Sequence, residues 1–338
     1  MKLRYRVEAL AARTVQSFVR VLPMSAVRLL GRGIGTLAYL LDLPHRRIAH
    51  ENLALAFPNR PASERRALAR NMFAHFGALL FELLKFGTLS RSQMLAAIEG
   101  DGEERVRQAL AQGRGALFFT GHFGYWEIHA MAFALRIEPT SLLARPLDNP
   151  LLDAMLEEIR TSTGNRVIQR RGAVRRILKD LAAGRGVAIL IDQHLHESDA
   201  VYVGFFQRPA ATTSALAAMA LRTGAPVIPV FALPLPRGRY RLIYERPVEP
   251  PLADAPDAVR EFTQRCTDVL EMYVRRHPDL WLWMHRRWRD QETGSGIGDR
   301  GSGIDDLVSE SPDPVGSRIP DPGSRFPDPG SRRDRFDV

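Results

Sequence analysis

The sequence predicts an α/β fold: a largely parallel central sheet flanked by helices, with an amphipathic helical region before it and a disordered tail after it. Three patterns carry that expectation. Helical periodicity without strand signals fills the first hundred residues. Short apolar runs alternate with helical segments from residue 113 onward. The last 48 of the 338 residues repeat a polar hexad. The division that follows is 1–45 as N-terminal helices, 46–290 as the α/β domain and 291–338 as the tail.

At the N-terminus, Leu3, Val7, Leu10, Thr14, Phe18 and Val21 recur at helical spacing, with Arg4, Arg6, Arg13 and Arg20 beside the stripe. A basic amphipathic helix of this kind lies in a membrane interface. A second helix over 26–43 is more apolar, yet its uncharged run of nine residues, 33–41, falls short of the ~20 that cross a bilayer. Snorkelling by Arg28 and Arg32 extends its reach. The region therefore spans the membrane once or lies on it, and the alternative is a pair of ordinary helices covering a core. A third helix is expected after Pro61, opened by Ser63 as its cap. It carries Leu68, Met72, Phe76, Leu79, Leu80 and Leu83 on one core-facing side.

The α/β part follows. Runs at 116–120, 140–144, 166–169, 187–192, 227–233 and 240–245 read as buried strands, and helical patterns lie at 151–162, 173–183 and 213–223. In open α/β sheets ligands sit outside the carboxyl ends of the strands. That rule singles out His122, Arg145, the pair Arg170 and Arg171, and Asp192 with Gln193. The tail reads Pro312-Asp-Pro-Val-Gly-Ser-Arg318, then Pro320-Asp-Pro-Gly-Ser-Arg325, then Pro327-Asp-Pro-Gly-Ser-Arg332. Such a segment buries too little apolar surface to offset its ordering entropy.

Charge narrows the partners. The chain holds 47 basic and 38 acidic residues, a net charge of +9. The tail has six Arg against ten acids, so residues 1–290 carry about +13. A surplus of this size attracts polyanions: nucleic acid, anionic lipid or phosphorylated substrates. Cys266 is the only cysteine, which excludes an intrachain disulfide and a Cys-based zinc site and fits a reducing compartment. The basic start lacks the apolar run of a signal peptide, because Glu8, Arg13 and Arg20 interrupt it.

The chemistry is expected in Gly121-His122-Phe-Gly124-Tyr-Trp-Glu127. His122 ends a buried strand. A helix starting near Gly124 places Glu127 in its first turn, able to turn back toward the imidazole. A carboxylate on one ring nitrogen fixes the tautomer and stabilises the cation, leaving the other nitrogen as general base. Gly124 is expected to keep the space above the ring clear. The alternative is a buried His bonded to a helix-start Glu for structure alone. Asp192 either buttresses this site or binds backbone amides, or is purely structural. Trp281, Trp283 and Trp288 read as packing or interfacial anchors.

An ordered set of motifs resembles the lipid A late acyltransferases, the lauroyl/myristoyl transferase family within the glycerolipid acyltransferase superfamily. Asn52-Leu-Ala-Leu-Ala-Phe57-Pro58 with Glu64-Arg65 comes first, then the His122 to Glu127 motif. Arg145-Pro-Leu-Asp-Asn149-Pro150, Asp192-Gln193, and Phe205-Phe206 with Pro209-Ala210 and Thr212-Thr213 follow. Gly224-Ala-Pro-Val-Ile-Pro229 and Trp283-Met-His-Arg-Arg-Trp288 close the set. The resemblance covers about residues 1–290. It implies an O-acyltransferase in which His122 takes the proton of a substrate hydroxyl and Glu127 orients and charge-stabilises His122. The implied donor is acyl carrier protein bearing a fatty acyl chain, or acyl-CoA. The implied acceptor is a phosphorylated glycolipid, a glucosamine disaccharide lipid held at the inner membrane's cytoplasmic face. Arg145, Asn149, Arg170, Arg171, Asp192 and Gln193 are the substrate-binding candidates, since arginine's planar fork suits phosphate. No cofactor, no metal and no nucleic acid is called for.

A relative acylating another glycolipid, such as a phosphatidylinositol mannoside, is the nearest rival. A metal-dependent hydrolase built on His122, Glu127 and His129, or on Asp192, His194 and His196, lacks the helix-based His-Glu-x-x-His spacing. A non-enzymatic module binding anionic membrane or nucleic acid rests on the arginines alone and leaves the polar strand ends unexplained. Gly296-Ile-Gly298-Asp-Arg-Gly301 matches a dinucleotide fingerprint without a preceding strand, and no Gly-x-Ser-x-Gly elbow occurs.

Overall fold

The computed structural model describes residues 2–169, 172–194, 200–252 and 255–289. Arg170, Arg171, His196 and the 291–338 repeats lie outside the described residues.

The N-terminal third is helical: α1 (Leu3–Val21), α2 (Met24–Leu41), α3 (Leu43–Ala56) and α4 (Ala62–Phe86). In α1 the core takes Ala9 and Val19, while Leu3, Val7, Leu10, Phe18 and Val21 face outward. The apolar stripe read from the sequence is therefore the exposed face. Leu29, Ile34, Leu37, Leu40 and Leu41 of α2 are also exposed. The other side of α2 crosses α4 at backbone distance. Gly31 and Gly35 meet Gly77, Ala78 and the Phe73 carbonyl, with no room for a Cβ at Gly35 or Gly77. Among the described residues no helix is long and apolar enough to cross a membrane. Helix α4 starts at Ala62 with Pro61 at its N-cap position, so Ser63 lies inside the first turn and does not cap it. Pro fixes the extended φ/ψ that precedes a helix and leaves the turn without a side-chain acceptor.

After α5 (Arg91–Ala96), strands and helices alternate: β1 (Ile98–Asp101), α6 (Glu103–Leu110), β2 (Ala116–Thr120), α7 (Trp126–Arg136), β3 (Ser141–Ala144), α8 (Pro150–Thr161), β4 (Arg166–Gln169), α9 (Ala173–Ala182) and β5 (Gly186–Leu190). The hairpin β6 (Ala200–Phe205) and β7 (Arg208–Thr213) interrupts, and α10 (Ala215–Thr223), β8 (Val227–Leu235), β9 (Arg239–Tyr244) and α11 (Ala258–Arg276) complete the body. The seven-stranded sheet runs β1-β9-β8-β2-β5-β3-β4, parallel at every junction except β8 with β9. Six strands and three helices fall where the sequence pattern put them. Strand β1 and the separate β6–β7 hairpin did not show in that pattern.

Period-two alternation explains why β2 sits centrally. Ala116 and Phe118 face one hydrophobic core with α7 and α4, and Leu117 and Phe119 face the other with α9, α10 and α11. Burial of both faces requires the continuous apolar run Ala-Leu-Phe-Phe. It also fixes where the chain emerges: at Thr120, in the middle of the sheet's carboxyl edge.

Candidate active site

Register assembles the site. Thr120 of β2 pairs with Leu190 of its neighbour β5, so His122 and Asp192 each stand two residues past a matched pair. The His122 Nδ1 lies 2.8 Å from Asp192 Oδ1. Asp192 Oδ2 accepts the backbone N–H of His122 at 2.6 Å and the Trp281 Nε1–H at 2.8 Å. A Cβ on residue 121 would stand 2.7 Å from Asp192 Oδ2, which is why Gly121 precedes the histidine. An ionised carboxylate only accepts, so Nδ1 carries the proton and Nε2 keeps its lone pair. Among the described residues Nε2 has no hydrogen-bond partner. The edge of Trp126 packs against the imidazole at 5.3 Å between ring centres.

Electrostatics make this histidine basic. Burial pushes its pKa down, but the charge and hydrogen bond of Asp192 outweigh burial, Glu127 adds to them and Arg160 opposes, so the result lies above the ordinary value. Asp192 is 1 % exposed. Burial alone would raise its pKa, yet His122 and the backbone amide hold it far below the usual carboxylate range. The other nearby histidines behave oppositely. Burial takes His129 down to about 3, and His75 and His285 to about 4, so all three are neutral.

The turn that carries His122 is held by backbone bonds on both sides. Leu282 N–H donates to the His122 carbonyl at 3.1 Å, Gly124 N–H to Leu280 at 2.9 Å, and Tyr125 N–H to Ala232 at 3.0 Å. The His75 Nε2–H donates to the Gly124 carbonyl at 3.1 Å. Gly124 has φ +58°, and a Cβ there would collide with the Ala232 carbonyl. Its absence of a side chain serves that contact with β8, not the clearance above the imidazole that the sequence suggested.

Glu127 occupies the first turn of α7 as expected, but its carboxylate is not on His122. Arg160 of α8 holds it with two bonds, Nε to Oε2 at 2.9 Å and Nη2 to Oε1. The orienting hydrogen bond expected of Glu127 is made by Asp192 instead. A helix-start side chain projects over α7 toward α8, whereas the end of the adjacent strand faces the imidazole directly. Glu127 and Arg160 also line an apolar cavity between the sheet and α7, walled by Phe118, Phe133, Leu142, Leu143, Ala188 and Leu190. Trp126 borders both this cavity and the His122 ring.

The remaining candidates divide. Arg145 and Gln193 are half-buried just beyond β3 and β5, at the same edge as His122. Asn149 is engaged elsewhere. Its Oδ1 accepts from Leu151 N–H at the start of α8, and its Nδ2 donates to Tyr5 O at 3.0 Å and Glu8 Oε2 at 2.9 Å, tying α8 to α1. His129 packs its ring against Phe133 and Tyr244. Trp281, Trp283 and Trp288 are buried core residues, and Trp281 adds the bond to Asp192. Arg160 and Trp281 are the site residues that sequence reasoning missed. Arg160 reads as one more polar residue of an amphipathic helix, and nothing local marks it as the partner of a carboxylate 33 positions earlier.

Fold and site together define an α/β enzyme with a histidine–carboxylate couple at the sheet's carboxyl edge, beside an apolar cavity. Residues 2–290 match the sequence model of the bacterial lipid A biosynthesis acyltransferases. The chain belongs to that family, and it is an O-acyltransferase. It is 30 % identical over 276 residues to a lipid A biosynthesis lauroyltransferase of Escherichia coli strain K12, covering 81 % of this chain and 88 % of that protein. A lipid A biosynthesis acyltransferase of Haemophilus influenzae is 25 % identical over 258 residues, covering 74 % and 78 %. A lipid A biosynthesis myristoyltransferase of Escherichia coli strain K12 is 24 % identical over 264 residues, covering 78 % and 80 %.

Proposed function

We propose that this enzyme moves a fatty acyl group from the thioester of acyl carrier protein, or of acyl-CoA, to a hydroxyl of a lipid A precursor, with His122 as general base. The observation that carries the reading is the His122–Asp192 couple, with Nε2 unpartnered beside an apolar cavity. The acceptor hydroxyl gives its proton to Nε2 while its oxygen attacks the thioester carbonyl carbon. The imidazolium so formed is stabilised by Asp192 through Nδ1 and, across space, by Glu127. Collapse of the tetrahedral intermediate breaks the C–S bond, and the proton passes from Nε2 to the departing thiolate. The acyl chain lies in the apolar cavity, with the Glu127–Arg160 pair as its polar margin. Arg145 and Gln193 face the phosphorylated headgroup.

Placement at the membrane belongs to the same reading. The outward apolar residues of α1 and α2, interleaved with Arg4, Arg6, Arg13 and Arg20, suit a lipid surface with anionic headgroups. Residues 1–45 then rest on the cytoplasmic face of the bacterial inner membrane, where a lipid acceptor and a soluble acyl donor meet.

The test is mass spectrometry of a lipid A precursor incubated in detergent with acyl carrier protein carrying a labelled chain. Wild type and His122→Ala are run side by side, with acyl-CoA as second donor. One added acyl mass with wild type alone supports donor, acceptor and base together. Transfer that survives in His122→Ala refutes the mechanism, and no transfer from either donor rejects this acceptor.

A further inference from the structure

Beneath the His122 turn lies a carboxylate to which no role has been given. Glu82 of α4 is fully buried, and four donors converge on it. Arg28 of α2 donates from Nε to Oε1 at 2.7 Å and from Nη2 to Oε2 at 2.9 Å. The Tyr125 hydroxyl donates to Oε1 at 2.9 Å, and the Tyr240 hydroxyl to Oε2. Arg28 spends a further N–H on the Leu235 carbonyl at 2.6 Å. A buried charge is tolerated only when paired and fully hydrogen-bonded, and this one is.

The two tyrosines differ in where they stand. Tyr240 sits within β9, held by strand pairing on both sides. Tyr125 is the last residue of the turn before α7, three positions from His122 and adjacent to Trp126, whose ring packs on the imidazole. Its hydroxyl tethers the end of the turn nearest α7, where Asp192 holds His122, His75 holds the Gly124 carbonyl, and backbone bonds run to Ala232, Leu280 and Leu282.

We propose that Glu82, fixed by Arg28, is a positioning residue for the transfer reaction: through the Tyr125 hydroxyl it sets the turn that aims His122. The inference rests on the reading of His122 as the base. It also links the lipid-facing helix to the chemistry, because Arg28 lies one residue before the exposed Leu29 on α2. Positioning of this kind acts on the chemical step and not on ground-state binding, since a displacement of about 1 Å at a reacting group costs on the order of 10²-fold in rate.

Glu82→Gln is the obvious variant, but it strands Arg28 and risks unfolding. The decisive comparison is therefore Tyr125→Phe against Tyr240→Phe in the full chain. Each removes one hydroxyl from the same carboxylate and leaves the aromatic packing in place, so a purely structural role treats them alike. Steady-state acyl transfer is measured with lipid A precursor and acyl carrier protein carrying a lauroyl chain, with Tm recorded for each variant. The expected result is a kcat at least about tenfold lower in Tyr125→Phe, with KM for both substrates within about twofold of wild type, and kcat nearly unchanged in Tyr240→Phe. Equal kcat in the two variants, with His122→Ala inactive, overturns this inference alone. Activity in His122→Ala overturns the reading beneath it and this inference with it.

Discussion

Replacing Asp192 by Asn isolates what the carboxylate does for His122. The side chain is nearly isosteric and 1 % exposed, so the shape of the site is kept. Three donors face the carboxylate: His122 N–H at 2.6 Å, His122 Nδ1 at 2.8 Å and Trp281 Nε1 at 2.8 Å. An amide has one acceptor oxygen and turns an NH2 toward the rest. At least one buried N–H loses its partner, at about 1–3 kcal/mol, which lowers Tm by several degrees in a domain of this size. The larger effect is on the reaction. The amide no longer selects the Nδ1–H tautomer or stabilises the imidazolium, and transfer should fall by about 10²–10⁴-fold, the range of a general base.

The pH profile gives the sharper test. On the proposed mechanism His122 acts only when unprotonated, and Asp192 outweighs burial to raise its pKa above the ordinary 6.5. The acid limb of kcat/KM is therefore expected above pH 6.5. In Asp192→Asn burial goes largely unopposed, so the residual activity should show an acid limb shifted downward. Stability runs the other way. Asp192, depressed in the folded state, contributes stability above its unfolded pKa that is lost as pH falls through the folded one. His122, raised in the folded state, contributes below 6.5 and loses that contribution as pH rises through its folded pKa. One interaction thus gives a Tm advantage of wild type over Asp192→Asn that peaks between about pH 4 and 6.5. An acid limb that stays in place in Asp192→Asn, or a Tm difference flat across pH 4–8, refutes the reasoning.

Glu127→Ala should lower transfer, since it removes a charge that raises the His122 pKa and the polar margin of the cavity. It should also destabilise, because it leaves Arg160 buried and unpaired, at about 3–5 kcal/mol. Adding Arg160→Met should restore Tm without restoring transfer, a contrast read by thermal melts beside the mass assay. Gly35→Ala forces a Cβ into the Phe73 carbonyl where α2 crosses α4, and should cost about 1–3 kcal/mol in denaturant titration. Phe18→Ser and Leu10→Ser on the outward face of α1 should each weaken co-sedimentation with anionic vesicles by about 1.5–3 kcal/mol and leave Tm unchanged. Truncation after residue 290, where the family match ends, should leave transfer at the wild-type rate, whereas loss of transfer on truncation would give the repeats a part in catalysis.

Local periodicity made the central sheet legible. The run 116–119 is apolar at every position because both faces of β2 are buried, and that identified the strand and hence its carboxyl end. From the strand-end rule came His122, Asp192, Arg145 and Gln193 without knowledge of register. Pairing was not legible. Nothing in the sequence says that β5 lies beside β2, and without Thr120 opposite Leu190 the nearer carboxylate in sequence, Glu127, looked like the partner of His122. Short strands with polar residues escaped for a related reason. Strand β1, Ile-Glu-Gly-Asp, is a sheet-edge element whose order comes from β9, and β7, Arg-Pro-Ala-Ala-Thr-Thr, is set by its hairpin partner. Asn149 misled because its motif is a helix cap as much as a binding signature: Oδ1 caps α8 and Nδ2 reaches α1.

The contacts of the His122 turn show how the enzyme's two ends converge on its centre. From the N-terminal side, α4 supplies His75 to the Gly124 carbonyl and Glu82 to Tyr125, and α2 supplies the Arg28 that keeps Glu82 paired. From the C-terminal side, the segment after α11 pairs Trp281 with Phe123, gives Leu282 N–H to His122 and gives Trp281 to Asp192. Asn52 of α3 joins the two sides directly, donating to the Trp283 and His285 carbonyls at 2.8 Å each. The sheet alone would deliver His122 and Asp192 to neighbouring strand ends, but it holds neither the turn nor the carboxylate rotamer. On the proposed mechanism the base must be aimed to within a fraction of an ångström, and that aim comes from residues about 40 to 95 positions before the histidine and about 160 after it. A family match running from residue 2 to 290, and not merely across the sheet, is what such a site requires.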